Sequence, residues 1–469
     1  MPPETPVPPL EFDRHFRRAV WITLTLTILG GGLVYSWKAQ DDRSAFVRWR
    51  HQVLQLFEGE NVYEKMAFPN PPIMPIVLYP LMSMPKVAGA VTWYFLKAIM
   101  AGVSAWLCFR LARADDRPMR SYIQAGIWLF SFRPILSDLH HGNINLLILL
   151  LVVLMLYSWR NGKDVLAGSF LAMAISFKVT PGLFLPYFAY KRQWKAVAAC
   201  LAGLAIFLFF VPSAVLGTDF NNECLSSWFK HIISPYVMKA EVKGPAEINQ
   251  SLSAVLTRLM TKVSGNAKYD PRLQVNLVSW SPRDVGVVVK GVMLGLVGLL
   301  GLFCRTPTRN RFDPRLLGEF SLVVLTMLFV SERSWKHHYV TMLLPYTYLV
   351  YRVGTPFWPK RVRVALLATL VASALMVVAT STEVGGLFAN GQGHEIAQAY
   401  GLFCWAGMLL YAATAWCVVR ERCSSPFPEP AGSEASGSPS AGAMPAPHLP
   451  GLAAVPADRR AGRAGKAPG

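Results

Sequence analysis

Charged residues are scarce in this chain: Asp, Glu, Lys and Arg make up 16% of its 469 residues, against about 25% in a typical soluble domain. Acidic residues are the scarcest, 27 against 46 Lys and Arg, which leaves a formal net charge of +19. Cysteines are few and scattered. Cys108, Cys200, Cys304, Cys404 and Cys417 fall in or at the end of apolar runs, Cys423 follows the last run, and only Cys224 lies in a long polar loop. These positions build neither a disulfide framework nor a paired metal-ligand spacing. No Gly-x-Gly-x-x-Gly follows a strand-like segment, so a nucleotide-binding signature is also missing.

What is abundant is apolar: 53% of residues are hydrophobic and the mean hydropathy is +0.34. The Lys and Arg residues sit mostly in short loops between apolar runs, which is the distribution that the positive-inside rule describes. The basic charge is therefore topological, and nucleic acid is excluded as a partner. The fold class expected is an all-α integral membrane protein with many spans.

Residues 1–18 are Pro-rich and end in Arg14, Arg17 and Arg18; residues 20–37 then run apolar for about one bilayer crossing. No small-residue cleavage site follows, so this reads as an uncleaved first helix with a cytoplasmic N-terminus. The run 87–112 leads to Arg110, Arg113, Arg117 and Arg120 and so returns to the cytoplasm. Between the two, 71–82 is broken by Pro71, Pro72, Pro75 and Pro80; a full crossing there would put the arginines outside, so it reads as re-entrant. Further spans are expected at 121–136, 144–159, 196–216, 285–303, 316–330, 339–351, 364–380 and 400–419, with basic inward turns at 160–163, 191–195, 305–315 and 360–363. Residues 164–190 lie between two inward turns and read as a hairpin of two short helices turning at Lys178-Val179-Thr180-Pro181. About twelve membrane helices result, with both termini inside. The domain reading is a cytoplasmic segment 1–18, a membrane domain 19–422 and a Pro/Ala/Gly-rich tail 423–469. The tail has the composition of a disordered segment, and its basic end, Arg459, Arg460, Arg463 and Lys466, suits anionic membrane lipid.

The chemistry is expected on the outward side, where four polar clusters converge. Asp41 and Asp42 come first, followed by an amphipathic stretch, 44–57, able to lie along the membrane surface. Two readings stand for these carboxylates: a reacting pair, or residues that start the surface helix by favouring its positive end. The second cluster is Arg133, Asp138, His140, His141, Asn143 and Asn145. Adjacent histidines point about 100° apart on a helix and share a metal poorly, so no metal site is assigned. Asn143 and Asn145 either cap the next helix or bind a sugar hydroxyl. Lys178, in the hairpin turn, is third: an ammonium group there needs an anion such as a phosphate, unless it snorkels to the interface. The fourth is Arg333, Trp335, Lys336, His337 and His338, more charge than an interfacial anchor requires.

The ordered set Gly59-Glu60-Asn61-Val62-Tyr63, Phe68-Pro69-Asn70-Pro71-Pro72, Gly142-Asn143-Ile144-Asn145, Ala167-Gly168 to Lys178-Val179-Thr180-Pro181 and Ser334-Trp335-Lys336-His337-His338 resembles the bacterial glycosyltransferase family 87. The resemblance runs from about residue 20 to 420. It implies a GT-C-type catalytic domain and transfer of a hexose, mannose above all, from a polyprenyl-phosphate-sugar donor to an acceptor outside the plasma membrane. The acceptor is a glycolipid, a glycan or a protein, and no cofactor beyond the lipid-linked donor is implied. Asp42, or its neighbour Asp41, takes the role of general base. His337 and His338 match the late His pair near the donor phosphate, and Lys178 matches the hairpin lysine. Two departures stand out: registered on the Gly59 motif, the family's acidic residue falls nearer Ser44 or Ala45, and Gly142-Asn143 replaces a more usual Gly-Gln.

The mechanism expected follows from charge. A polyprenyl phosphate leaves once its developing negative charge meets fixed cations, here Lys178, Arg333 and a protonated His337 or His338, with Arg133 a further donor-phosphate ligand. Asn143, Asn145 and His141 are assigned to the sugar or acceptor. One base and one leaving group on opposite faces imply inversion in a single displacement. Two rival readings are an oligosaccharide ligase or polymerase that uses a diphosphate-linked donor, and a lipid-linked sugar transporter. The latter would need repeated halves with broken helices near the midplane, which the sequence does not display.

Overall fold

The computed structural model describes residues 10–66, 68–113, 119–235, 246–266 and 272–423, with side chains described within residues 14–422. Arg117 and the expected tail from residue 424 onward lie outside the described residues.

Regular structure among the described residues is entirely helical. Helix α1 (Leu10–Gln40) ends at a turn in which Asp42 takes a left-handed backbone, φ 56, a conformation Asp tolerates better than most residues. Helix α2 (Ala45–Phe57) then starts at Ser44, whose hydroxyl accepts from the Val47 amide, and it buries Phe46, Val47, Val53 and Leu56. That is the expected amphipathic stretch, but its cap is Ser44 rather than Asp41 or Asp42. Helix α3 (Ile73–Met82) has ten residues, about half of what a crossing needs.

The chain continues through α4 (Lys86–Ala112), α5 (Ser121–His141), α6 (Asn145–Arg160), α7 (Asp164–Phe177), α8 (Phe184–Tyr190) and α9 (Trp194–Leu216), the last carrying a π-helical turn at Ile206–Phe210. After α10 (Thr218–Trp228) and α11 (Leu252–Met260) come α12 (Pro282–Phe303), α13 (Arg315–Phe329), α14 (Leu343–Gly354), α15 (Lys360–Ala379) and α16 (Leu402–Cys423). By length and composition six helices among the described residues suffice to cross a membrane: α1, α4, α9, α12, α15 and α16. The remaining expected spans correspond to helices that are shorter or more polar, so length and composition do not reach the count of about twelve. Leu33, Leu129, Phe210 and Leu294 stand exposed on helix surfaces, while α13 is buried along nearly its whole length. An apolar exterior around an apolar interior is the pattern of a multi-pass membrane protein.

Opposite ends of the bundle differ in chemistry. At one end Arg311 joins the Asp164 carboxylate, Gln193 Oε1 (2.9 Å) and the Trp159 carbonyl (2.7 Å), Lys191 pairs with Glu319 (2.6 Å) and Arg352 with Glu421 (2.6 Å). At the other end the α1–α2 corner closes on the α5–α6 corner. Gly142 sits between them at φ 75, where a Cβ would lie 2.4 Å from Tyr35 Oη and 2.7 Å from Ser44 Oγ, so glycine alone fits.

Candidate functional site

The site grows from the α5–α6 corner. Asp138, fully buried in the last turn of α5, receives the amide N–H of Leu146 at the start of α6 (3.3 Å) and Asn145 Nδ2 (3.0 Å). It thereby satisfies one of the backbone donors that a helix start leaves open. Its charge is balanced by Lys97 of α4, equally buried, at 3.0 Å; the same ammonium also donates to the Asp138 carbonyl. Because the Asn145 amide gives its NH2 to Asp138, its oxygen is left to accept from Lys178 Nζ (2.8 Å). Lys97, Asp138, Asn145 and Lys178 thus form one polar chain through an apolar interior, with two positive charges against one negative.

Lys178 lines a small cleft of about 20 Å³ together with Asn145, Thr180, Ser331, Ser334, His338 and Thr341, with Ile148, Met327 and Leu328 as its apolar wall. The Thr341 hydroxyl is buried without a hydrogen-bond partner. Beside the cleft, His141 and His337 stack at 3.9 Å between ring centroids, and Trp335 packs edge-on against both. Asn143 Oδ1 accepts from the Ile144 amide (2.7 Å), which turns Nδ2 toward His337 Nε2 (3.1 Å) and leaves the imidazole proton on Nδ1. His338 Nδ1 lies 3.1 Å from the Arg333 carbonyl and 3.3 Å from the Trp335 amide nitrogen.

Burial first, and then His338, His141, Lys178 and Lys97, hold the His337 imidazole well below the usual histidine range; burial and Lys178 do the same to His338. That shift favours the neutral imidazole at both positions over the protonated form expected from the sequence, and the cation lining the cleft is Lys178.

A segment that the sequence reading passed over holds the histidine turn in place. Asn249 donates to the Glu332 carbonyl (3.0 Å) and accepts from the Ser334 amide (3.1 Å), while the Gln250 amide donates to the Ser334 carbonyl (2.7 Å). Tyr339 Oη donates to the Gln250 carbonyl (2.6 Å), and Ser251 Oγ to the Glu332 carbonyl (3.1 Å). Arg258, fully buried, fixes the other side of this clamp by donating to the carbonyls of Ala246, Asn249, Gln398 and Ala399.

Of the residues singled out from sequence, His141, Asn143, Asn145, Lys178, His337 and His338 come together. Asn143 and Asn145 do not cap α6 in the expected way; Asp138 does that from outside the helix. Arg133 falls in a neighbouring group with Lys38, His140, Lys336 and Glu383. Arg333 is exposed, and its backbone carbonyl meets His338. Asp41 and Asp42 are exposed at the end of α1, paired with Arg43 (2.8 Å) and Lys86 (3.0 Å) rather than with the histidines. The first-loop residue packed against the corner is Ser44, buried and hydrogen-bonded to Tyr35 (2.7 Å). Lys97, Glu383 and the Asn249–Ser251 clamp were not foreseen. Lys97 carried a signal nonetheless, being an ammonium group inside an apolar run.

The profile of glycosyltransferase family 87 matches residues 68–332. The chain belongs to glycosyltransferase family 87. That stretch of the family 87 chain carries Lys97, Asp138, Asn143, Asn145 and Lys178 and ends just before the histidine turn. Over 331 residues the chain is 27% identical to a polyprenol-phosphate-mannose-dependent alpha-(1-2)-phosphatidylinositol mannoside mannosyltransferase of Mycobacterium tuberculosis, which covers 66% of this chain and 67% of that protein. Over 282 residues it is 24% identical to a polyprenol-phosphate-mannose-dependent alpha-(1-2)-phosphatidylinositol pentamannoside mannosyltransferase of Mycolicibacterium smegmatis, covering 59% of this chain and 60% of that one. Among solved structures it is similar to ArnT from Cupriavidus metallidurans bound to undecaprenyl phosphate, at 15% identity and a TM-score of 0.34, over 85% of this chain and 78% of that one.

Proposed function

We propose that this family 87 glycosyltransferase moves mannose from a polyprenyl-phosphate-mannose donor to an acceptor hydroxyl at the outer face of the plasma membrane, on a GT-C-type bundle with both termini inside. The observation that carries the reading is Lys178: an ammonium group aimed into a small cleft with an apolar wall, held from behind by Asn145 and Asp138. The names of two relatives, both polyprenol-phosphate-mannose-dependent mannosyltransferases, support the same donor.

A sugar-phosphate diester carries one negative charge, and the Lys97, Asp138 and Lys178 set carries one net positive charge. As the glycosidic C–O bond breaks, charge builds on the departing phosphate, and a preplaced ammonium in a site of low dielectric stabilises that charge more than it stabilises the donor. His338 and the unpartnered Thr341 hydroxyl are neutral hydrogen-bonding groups on the same wall. The acceptor proton goes to a first-loop carboxylate, Asp42 before Asp41. Its contact with Lys86 (3.0 Å) is solvent-exposed and worth less than about 1 kcal/mol. Asp138 is unsuited as base because both its oxygens are engaged. Attack opposite the phosphate inverts the anomeric centre.

Membranes holding the full chain, supplied with radiolabelled polyprenyl-phosphate mannose, test the reading. Label passing to an acceptor supports it, and turnover of diphosphate-linked oligosaccharide alone redirects it to a ligase or polymerase.

A further inference from the structure

Arg133 is an anomaly among the enclosed cations. Lys97, Lys191, Arg311 and Arg352 each pair with a carboxylate, and Arg258 spends its donors on four carbonyls. Arg133, half-buried inside α5 with its Nε enclosed and unpartnered, makes neither a hydrogen bond nor an ion pair with any described residue. Leaving a charge enclosed without a partner is expensive, and in a membrane helix it marks a ligand or a pathway.

Its surroundings are those of an anion site. His140 lies seven residues after Arg133 on the same face of α5, and its Nε2 is likewise enclosed and unpartnered. Gly31 of α1 abuts His140, its Cβ position 3.3 Å from Nε2. Lys38, seven residues beyond Gly31 on that face of α1, has no hydrogen bond or ion pair for its ammonium group within the described residues. From the third side Lys336 donates to the Thr380 carbonyl (3.0 Å), beside the Ser381-capped turn that carries Glu383. Glu383 is the carboxylate that these groups face, and it lies within ion-pairing distance of none of the three cations. Three positive charges thus meet one negative charge.

This group is distinct from the Lys178 cleft, although it is built from the same two elements. Helix α5 gives His141 to the Lys178 side and His140 to the Arg133 side. The Trp335 turn gives His337 and His338 to the first and Lys336 to the second.

We propose that Arg133, Lys38 and Lys336 bind a phosphate or other anionic group carried by the acceptor, so that the site holds two anionic substrates on either side of the stacked His141 and His337. The guanidinium fork of Arg133 suits a two-oxygen anion. The idea rests on the transferase reading for the word acceptor, but the anion site itself can be tested without turnover.

Purified full-length protein in nanodiscs is assayed with two long-chain alkyl mannosides that differ only in a phosphodiester between sugar and chain. The wild type should use the charged acceptor at least about tenfold better in kcat/KM. Arg133→Gln and Lys336→Met should raise KM for that acceptor about 10–100-fold while donor KM stays within twofold. An equal loss with both acceptors, or a rise in donor KM, overturns the proposal. Independently of turnover, a short-chain dialkyl phosphate should raise the unfolding temperature of wild type and of Lys178→Gln but not of Arg133→Gln; the reverse pattern overturns the site. Inorganic phosphate giving the same Arg133-dependent protection would overturn the acceptor assignment. Should Arg133→Gln fail to fold, Lys38→Met, on a half-exposed side chain, supports the same comparison. If no mannose is transferred while the Arg133-dependent protection stands, the transferase reading fails and the anion site does not.

Discussion

His141 and His337 lie 196 residues apart in the chain and stack with their ring centroids 3.9 Å apart and planes 14° from parallel. This contact joins the end of α5 to the Trp335 turn.

The first prediction concerns the donor. Lys178→Gln removes a charge-assisted contact of about 1.5–3 kcal/mol, so donor KM should rise about 10–100-fold, with Lys178→Arg retaining part of the affinity. Asn145→Leu should reproduce much of the loss, because the amide oxygen that places Lys178 is gone. Steady-state kinetics with varied donor decide it: an unchanged KM in Lys178→Gln removes the lysine from the donor site.

The Lys97–Asp138 pair should behave as a buried ion pair. Either Lys97→Met or Asp138→Asn strands a charge or a donor and should cost about 3–5 kcal/mol of stability, and the double substitution less than the sum of the two. Denaturation in detergent checks this, and strictly additive losses would show that the pair is not coupled.

The base assignment has a direct comparison. Asp42→Asn should lower kcat about 10²–10⁴-fold with donor KM little changed, whereas Glu383→Gln should act on the charged acceptor's KM. A fully active Asp42→Asn beside an inactive Asp41→Asn would move the role to Asp41.

Acidity should destabilise the folded chain through the histidines. Unfolded, His337 and His338 take up protons near pH 6.5; folded, their depressed pKa values keep them neutral. Stability is therefore full above about pH 6.5 and falls as the pH drops below it, since the unfolded state binds more protons. Unfolding temperatures measured across the range about pH 5 to 8 should fall on the acid side, and less steeply in His337→Gln.

Much of this was legible because membrane helices announce themselves by length, and their ends by charge. The Ser44-started surface helix, the Lys178 turn and the convergence of His141, Asn145 and His338 all follow from that pattern. Hidden elements depend on pairing. Lys97 and Asp138 each look costly alone, and nothing in their 41-residue separation announces that one neutralises the other. The Asn249–Ser251 clamp makes its bonds from an aperiodic loop, to which hydrophobic periodicity is blind. Asp42 is at the end of α1 as expected, but the left-handed turn that sets it against Lys86 in solvent, and the burial of Ser44 beside it, depend on local backbone geometry that the sequence pattern does not announce.

The account's central claim is that Lys178, positioned by Asn145 and Asp138, receives the phosphate of a lipid-linked mannose. Its most direct measurement is transfer of label from polyprenyl-phosphate mannose by wild type and Lys178→Gln in nanodiscs across a range of donor concentrations. The account predicts transfer by both, with the variant needing about 10–100-fold more donor for half-maximal rate. Equal donor dependence in the two proteins would contradict it.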